Sequence, residues 1–408
     1  MKKVLSIAGI WLVGLLLLVG LFLSIWIVVP APIFALLPLS VGAPEISPAL
    51  LLFNMSIAIC VGTLFWLRAF KPQRSFVFIL CSLGLAVGLS AWPLLQFSAT
   101  QQQAQAAIET SLGQNYLKDL PPALIAKMRS QPLVICDIWQ GISNLQQETL
   151  GIRKVSIPFA NPDGVELSMN IYRPAQVGKY PALVSIYGGA WQRGSPDNDE
   201  TFSRYIAAQG YVVWAIDYRH APAYHFPVQI QDVRSALRFI QQHATEYETN
   251  LDRVAIIGRS AGSQLAMLAA YQDPPFPIRA VIDYYGPVNL TAGYANVPTP
   301  DPIESRVTLR AFLGGTPQTV PELYRQASPI NAVKPDLPPS LLIYGGKDRI
   351  VEAKYGKYLA QQLRSPGNRA VFIEIPWADH AFDAVFSGMS SQLALYYTER
   401  FLAWALYK

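Results

Sequence analysis

Histidine and cysteine are both scarce here: four histidines and three cysteines occur in 408 residues. The cysteines Cys60, Cys81 and Cys136 have no paired spacing, two of them sitting in apolar runs and the third standing alone. That excludes a disulfide framework and a thiolate metal knot. No metal or cofactor motif stands out, and none is expected. The histidines His220, His225, His243 and His380 leave a short search for a catalytic base. Charge is thin as well. Asp, Glu, Lys and Arg make up 14% of the chain against 51% hydrophobic residues, with the excess of apolar residues in the first hundred. The net charge of +5 is carried by scattered side chains, so no nucleic-acid face is indicated.

Residues 4–29 contain no charge and are long enough to cross a bilayer. The rival reading, a signal peptide after Lys2 and Lys3, is disfavoured. The run is too long, and further apolar segments follow without a small-residue cleavage site. Residues 49–67 and 75–97 read as second and third spans. Between the first two, residues 30–48 are proline-rich with Glu45 as the sole charge, and the prolines argue against a helix. Arg68, Lys71 and Arg74 lie between the second and third spans. The positive-inside rule then places the N-terminus inside and everything after Phe97 outside. The expectation is a multi-pass membrane protein, with residues 1–97 as anchor in contact with the bilayer. Residues 98–150 read as linker or cap. They begin with a polar helix whose thin stripe, Ala104, Ala107, Ile108 and Leu112, suggests packing.

The pattern changes at Gly151. Residues 154–159 and 165–172 alternate across Asn161-Pro162-Asp163-Gly164, a hairpin signal. Short apolar strands follow at 182–187, 211–216, 254–258, 278–284, 341–344 and 370–375. Helical periods lie between them at 202–209, 228–243, 264–271 and 351–363, and a last helix spans 391–406. Strands alternating with helices imply an α/β domain over 151–408, with a mostly parallel, doubly wound sheet. Chemistry in such a sheet collects beyond the carboxyl ends of the strands. Gly258-Arg259-Ser260-Ala261-Gly262 is a tight strand-to-helix turn with a serine at its tip. Asp348 follows one late strand, His380 another, and Gly188-Gly189 an early one.

Each residue type answers a need. A serine hydroxyl is a weak nucleophile until a base takes its proton. An imidazole accepts that proton and returns it to the leaving group. A carboxylate fixes the imidazole tautomer. Backbone N–H groups at Gly188, Gly189 and Ala261 can hold an oxyanion, each for about 3 kcal/mol of barrier. Asp283 and Asp379 compete with Asp348 for the carboxylate role, but one belongs to an earlier strand and the other adjoins His380 too closely. His243 suits a helix C-terminus, and His220 with His225 lack companion ligands for a metal.

These pieces together resemble the α/β-hydrolase esterases of the hormone-sensitive-lipase and BD-FAE type. The matching stretches are Tyr187-Gly188-Gly189-Ala190-Trp191, Asp217-Tyr218-Arg219-His220-Ala221-Pro222 with Phe226-Pro227 and Asp232, Gly258–Gly262, Gly345-Gly346-Lys347-Asp348 and Asp379-His380-Ala381-Phe382. The resemblance implies an α/β-hydrolase fold and a carboxylic-ester hydrolase. It implies Ser260, Asp348 and His380 as triad, and Gly188, Gly189 and Ala261 as oxyanion donors. Two positions depart from the pattern. Tyr187 replaces a histidine that holds the loop, as in isoprenylcysteine methylesterases, which look similar here. Arg259 replaces an acidic residue, which alters the loop's ion pairs. Residues 287–338 are expected to cap an acyl pocket, with Tyr284, Tyr285, Trp191 and Phe382 as candidate walls. The expected substrate is an apolar or amphiphilic ester near the membrane. A peptidase or amidase, or a silent tethered binding protein, are the alternatives.

Overall fold

The computed structural model describes residues 2–66, 74–142 and 149–408. Its N-terminal part holds α1 (Lys2–Ile25), α2 (Leu37–Glu45), α3 (Ser47–Trp66) and α4 (Arg74–Leu112). Each expected span holds a helix, but the first ends at Ile25 rather than at residue 29. By length and composition, one helix among the described residues, 77–112, can cross a membrane. The α2–α3 pair, bent by 78°, passes as a second, and the described apolar part of α1, Trp11–Ile25, is shorter. Arg68 and Lys71 lie outside the described residues.

The bundle is apolar outside, and inside it buries a polar cluster next to an apolar one of Leu17, Ile57, Val61 and Leu83. Asn54 Nδ2 donates to Ser24 Oγ and Ser90 Oγ, both at 2.9 Å, and all three side chains are buried. Gly20 admits this cluster, since a Cβ there would lie 2.1 Å from Asn54 Oδ1. Trp11, Leu18, Ile59, Phe78 and Leu95 point outward and are exposed.

Two expectations are corrected. Prolines do not prevent a helix before Glu45. Pro38 sits in the first turn of α2, where a missing N–H costs nothing. Pro44 lies inside α2 and leaves the Ser40 carbonyl without its N–H, but Lys347 Nζ donates to that carbonyl at 2.7 Å. Second, the polar stretch after Phe97 is not a separate helix but the continuation of the 39-residue α4. Its stripe packs as expected: Ala104, Ile108 and Leu112 are buried in the main core, and Ser111 Oγ donates to Ala370 O at 2.9 Å.

The remaining residues form one sheet. Its strands, among the described residues, are β1 (Arg153–Ala160), β2 (Leu167–Arg173), β3 (Tyr180–Ile186), β4 (Val212–Ile216), β5 (Thr249–Arg259), β6 (Ile278–Tyr284), β7 (Ser340–Gly345) and β8 (Ala370–Ile375). Their order is β1-β2-β4-β3-β5-β6-β7-β8. The β1–β2 hairpin and the β2–β4 pair are antiparallel, and the other pairings are parallel. Every residue of β4 and β7 is buried. Side chains alternate along a strand, so both faces must be covered.

Among the described residues, the α-helices that follow α4 are α5 (Pro122–Ile125), α6 (Asp137–Gln140), α7 (Glu200–Ala208), α8 (Val228–His243), α9 (Ala261–Tyr271), α10 (Leu290–Ala295), α11 (Ser305–Leu313), α12 (Pro321–Gln326), α13 (Ala353–Arg364) and α14 (Met389–Tyr407). The described part of 113–150 packs on α14. Arg129 Nη2 donates to Asp137 at 3.1 Å and to Gln392 at 2.7 Å, and the Arg129 N–H donates to Glu399 at 2.7 Å.

Candidate active site

The turn between β5 and α9 forces Ser260 to φ 51°, ψ −122°, a conformation costly for a residue with a side chain. It can be held because its neighbours are glycines. A Cβ on Gly258 would lie 2.3 Å from Gly262 O, and one on Gly262 2.2 Å from Ile186 O. Strand, elbow and helix therefore approach to backbone contact. The Ser260 N–H is tied to Tyr284 O at 2.9 Å. Ala261 opens α9, so its N–H is among the helix's unpaired donors.

Three side chains from separate strand ends meet at this tip. His380 Nε2 is 2.9 Å from Ser260 Oγ, and His380 Nδ1 is 2.7 Å from Asp348 Oδ2. The other Asp348 oxygen accepts from the N–H groups of Ile350 at 2.7 Å and Val351 at 2.9 Å. The carboxylate is locked by backbone on one side and faces the imidazole on the other. That geometry sets the proton on Nδ1 and leaves the Nε2 lone pair for the hydroxyl. Burial disfavours a charged His380, but Asp348, Asp379 and Asp383 together outweigh it, and the ring's pKa stands above its ordinary value.

The rival carboxylates are engaged elsewhere. Asp283 accepts from Ser263 Oγ at 2.5 Å, Tyr344 OH at 2.6 Å and Gly286 N at 2.7 Å, and burial pushes its pKa up to about 6. Asp379 accepts from Ser40 Oγ and faces Lys347 at 3.6 Å. His243 Nδ1 lies 3.0 Å from Phe239 O at the end of α8. His225 Nδ1 meets Ala311 O at 2.8 Å, and His220 Nε2 meets Tyr187 OH at 2.9 Å.

Both departures from the family pattern have a physical reading. Tyr187 stacks on Tyr218 at 4.6 Å and donates to Asp217, so it ties the Gly188-Gly189 loop to the loop after β4. Arg259 is buried under the elbow. Its Nη1 is 3.1 Å from Asp199 and its Nε 2.5 Å from Asp383, and it lies over the Phe202 ring at 4.4 Å. Burial works against its charge, yet the two carboxylates raise its pKa above the ordinary guanidinium value. Asp199 and Asp383 were not singled out by sequence. The signal was Arg259 itself, since a buried cation needs anions.

Ser260 borders two cavities. The larger, ≈ 760 Å³, is lined by Gly188, Gly189, Ala190, His380 and Tyr285. The smaller, ≈ 80 Å³, is lined by Ala190, Trp191, Leu290, Leu309 and Val351. Residues 287–338 thus carry three short helices, two of which close the smaller space. Tyr284 and Tyr285 line the larger cavity and Trp191 the smaller. Phe382 is fully buried and packs on Tyr284 and Tyr285 instead. Unforeseen by sequence, Phe34, Leu37, Pro38 and Val41 complete the wall of the larger cavity.

A mixed eight-stranded sheet with a serine elbow, and with an imidazole and a carboxylate at later strand ends, defines the α/β-hydrolase fold. The family model described as BD-FAE matches residues 169–363. The chain is 32% identical over 240 residues to the probable carboxylic ester hydrolase LipM of Mycobacterium tuberculosis, covering 55% of this chain and 54% of LipM. The chain spans about half the length of the curated relatives it matches. Among solved structures, a bacterial heroin esterase superposes with TM-score 0.57 at 23% identity, covering 71% of this chain and 99% of that one. The butyrate-bound esterase Est2 of Thermogutta terrifontis gives 0.51 at 26%, covering 62% and 94%.

Proposed function

We propose that this chain is a membrane-anchored serine hydrolase that cleaves carboxylic esters. The observation that carries the reading is the hydrogen-bonded series Ser260–His380–Asp348, at 2.9 and 2.7 Å, inside an apolar cavity. Ser260 Oγ attacks the carbonyl carbon and gives its proton to His380 Nε2. The oxyanion is held by N–H groups of Gly188, Gly189 and Ala261. The C–O bond to the alcohol breaks, and His380 protonates the departing oxygen. Water then attacks the acyl-enzyme, loses its proton to His380, and Ser260 regains a proton as the acid leaves. The relatives' names favour esters over the amide alternative. Ser260→Ala is expected to lose at least ~10⁴-fold in turnover, together with labelling by a fluorophosphonate probe. An almost unaffected variant refutes the mechanism. An unlabelled native protein supports the silent-binder alternative, and faster turnover of aminoacyl amides than of acyl esters supports the peptidase.

The same reading divides the chain into anchor 1–97, linker 98–150 and catalytic domain 151–408, with three spans and an extracytoplasmic active site. What supports an anchor is the apolar exterior of the α1–α3–α4 bundle together with one polar layer buried inside it. A buried serine–asparagine cluster under an apolar exterior suits lipid as solvent. Protease accessibility of the C-terminus in right-side-out vesicles tests the sidedness, and a protected C-terminus refutes it.

A further inference from the structure

We propose that the two cavities beside Ser260 divide the ester unequally, and that the substrate is a short acyl group esterified to a large, membrane-resident alcohol. The inference rests on the esterase reading above and adds the substrate class. His380 must hand its proton to the alcohol oxygen, so the alcohol leaves on the side that His380 lines. That side is the ≈ 760 Å³ cavity. The acyl group stays on Ser260 and takes the other side. There only ≈ 80 Å³ is free, closed by Trp191, Leu290 and Leu309 without His380.

The larger cavity is also the one the anchor completes. Phe34, Leu37 and Val41, from the segment joining α1 to α3, form an apolar wall opposite the catalytic domain. The membrane helices meet the rim that carries the triad. Lys347 Nζ, one residue before Asp348, donates to Trp26 O at 2.7 Å, just past the end of α1. Ser47 Oγ, at the start of α3, donates to Met389 Sδ at 3.2 Å. The Phe97 ring packs at 5.9 Å on Trp377, three residues before His380. The cavity that holds the alcohol therefore lies where the apolar helices end. An alcohol with a long tail fits that space with its tail toward the bilayer, whereas a water-soluble alcohol would leave the wall unused.

The test is a matched pair of probes, oleyl acetate and ethyl oleate, which carry the same carbons with the ester reversed. Full-length protein is reconstituted in phosphatidylcholine vesicles containing either probe. Oleyl acetate should be cleaved at least ~10-fold faster. Equal rates, or preference for ethyl oleate, overturn the assignment. Oleyl acetate supplied in separate, protein-free vesicles should be cleaved slowly, and equal rates overturn delivery from the bilayer. Phe34→Arg should lower oleyl acetate turnover relative to p-nitrophenyl acetate by ~10-fold. Leu309→Ala enlarges the smaller space and should raise the hexanoate-to-acetate ratio of p-nitrophenyl esters ~5-fold, a gain that misfolding cannot produce. An unchanged ratio in either variant counts against the division. Native protein inert toward p-nitrophenyl acetate and fluorophosphonate would instead overturn the esterase reading itself.

Discussion

Replacing Arg259 with methionine keeps much of the side chain's volume but removes the charge between Asp199 and Asp383. At an effective dielectric of about 20, the 3.1 Å contact with Asp199 alone is worth about 5 kcal/mol of attraction before desolvation. Desolvation offsets most of that in the intact pair, but not once one partner is gone. Removing one member of a buried ion pair costs about 3–5 kcal/mol, so Arg259→Met should lose that much unfolding free energy near neutral pH. The loss should depend on pH with a defined sign. Burial already holds Asp199 above the ordinary carboxylate range, with Arg259 opposing the rise. Without Arg259 its folded pKa climbs further above its unfolded value. Such a group favours folding at low pH and loses that contribution as pH rises through the folded pKa. The deficit should therefore be small in acid and grow toward neutrality. Denaturant unfolding of detergent-solubilised protein at acid and neutral pH measures it. Asp199→Asn in the variant background should recover part of the loss at neutral pH. Turnover should fall too, because Asp383 also accepts from Tyr285, whose ring packs 4.7 Å from His380. A loss under ~1 kcal/mol, or one larger in acid, would show that the charge is not confined as described.

Asp348→Asn should cut kcat by about 10⁴-fold through the wrong imidazole tautomer. It should also move the acid limb of kcat/KM, which in the native protein lies above the usual imidazole pKa because activity needs neutral His380, to lower pH. A limb that stays in place would dissociate Asp348 from His380. Gly262→Ala puts a Cβ 2.2 Å from Ile186 O and 2.3 Å from Tyr187 O. Both atoms are backbone, so β3 must shift, at about 3 kcal/mol or more, with kcat falling more than KM rises as the Gly188-Gly189 loop moves with it. Wild-type kinetics would refute the contact. Asn54→Leu removes the interhelical hydrogen bonds to Ser24, Ser90 and Ala86 O while Ser24 and Ser90 still bond each other at 2.9 Å. A loss of about 0.6–2 kcal/mol is expected on thermal unfolding in detergent, and a gain would refute the role of the cluster.

The sheet was legible because its strands are short, β-branched and separated by turn residues, and each expected strand was found within a few residues. The meeting of Ser260, His380 and Asp348 was legible for a related reason. Strand ends are where a parallel sheet exposes side chains, and few histidines competed for the base. Arg259 was legible as an anomaly but not in its resolution. Asp199 precedes a helix in a loop and Asp383 sits in a turn after His380, so neither has a periodicity that points to the elbow. Residues 287–338 showed themselves as a long interruption between strands, whereas the placement of α11 rests on Phe312, which packs on Trp191 and Phe226. Trp191 stacks on Phe312 at 4.0 Å, a contact between residues far apart in the chain.

The join between the N-terminal helices and the sheet-bearing residues was the least legible part, and the reason is that each half completes the other's helices. Pro44 deprives the Ser40 carbonyl of its partner, which in isolation counts against a helix. Lys347 supplies the donor, at 2.7 Å to Ser40 O and 2.7 Å to Trp26 O. In the reverse direction, α14 has no side-chain cap of its own. Glu45 Oε2 accepts from the Ser390 N–H at 2.7 Å, so its carboxyl group serves one of the unpaired donors that open that helix. Gly388 leaves the room, since a Cβ there would lie 2.4 Å from Glu45 Oε2. Local propensity therefore misreads 30–48 as a proline-rich loop, because the groups that make it helical lie some three hundred residues away. The same exchange explains why residues 34–41 can form a fixed wall of the larger cavity. A tether would have no reason to satisfy the backbone of the domain it holds, whereas a segment that shapes the cavity must be held as firmly as the loops of Asp348 and His380 on which it rests.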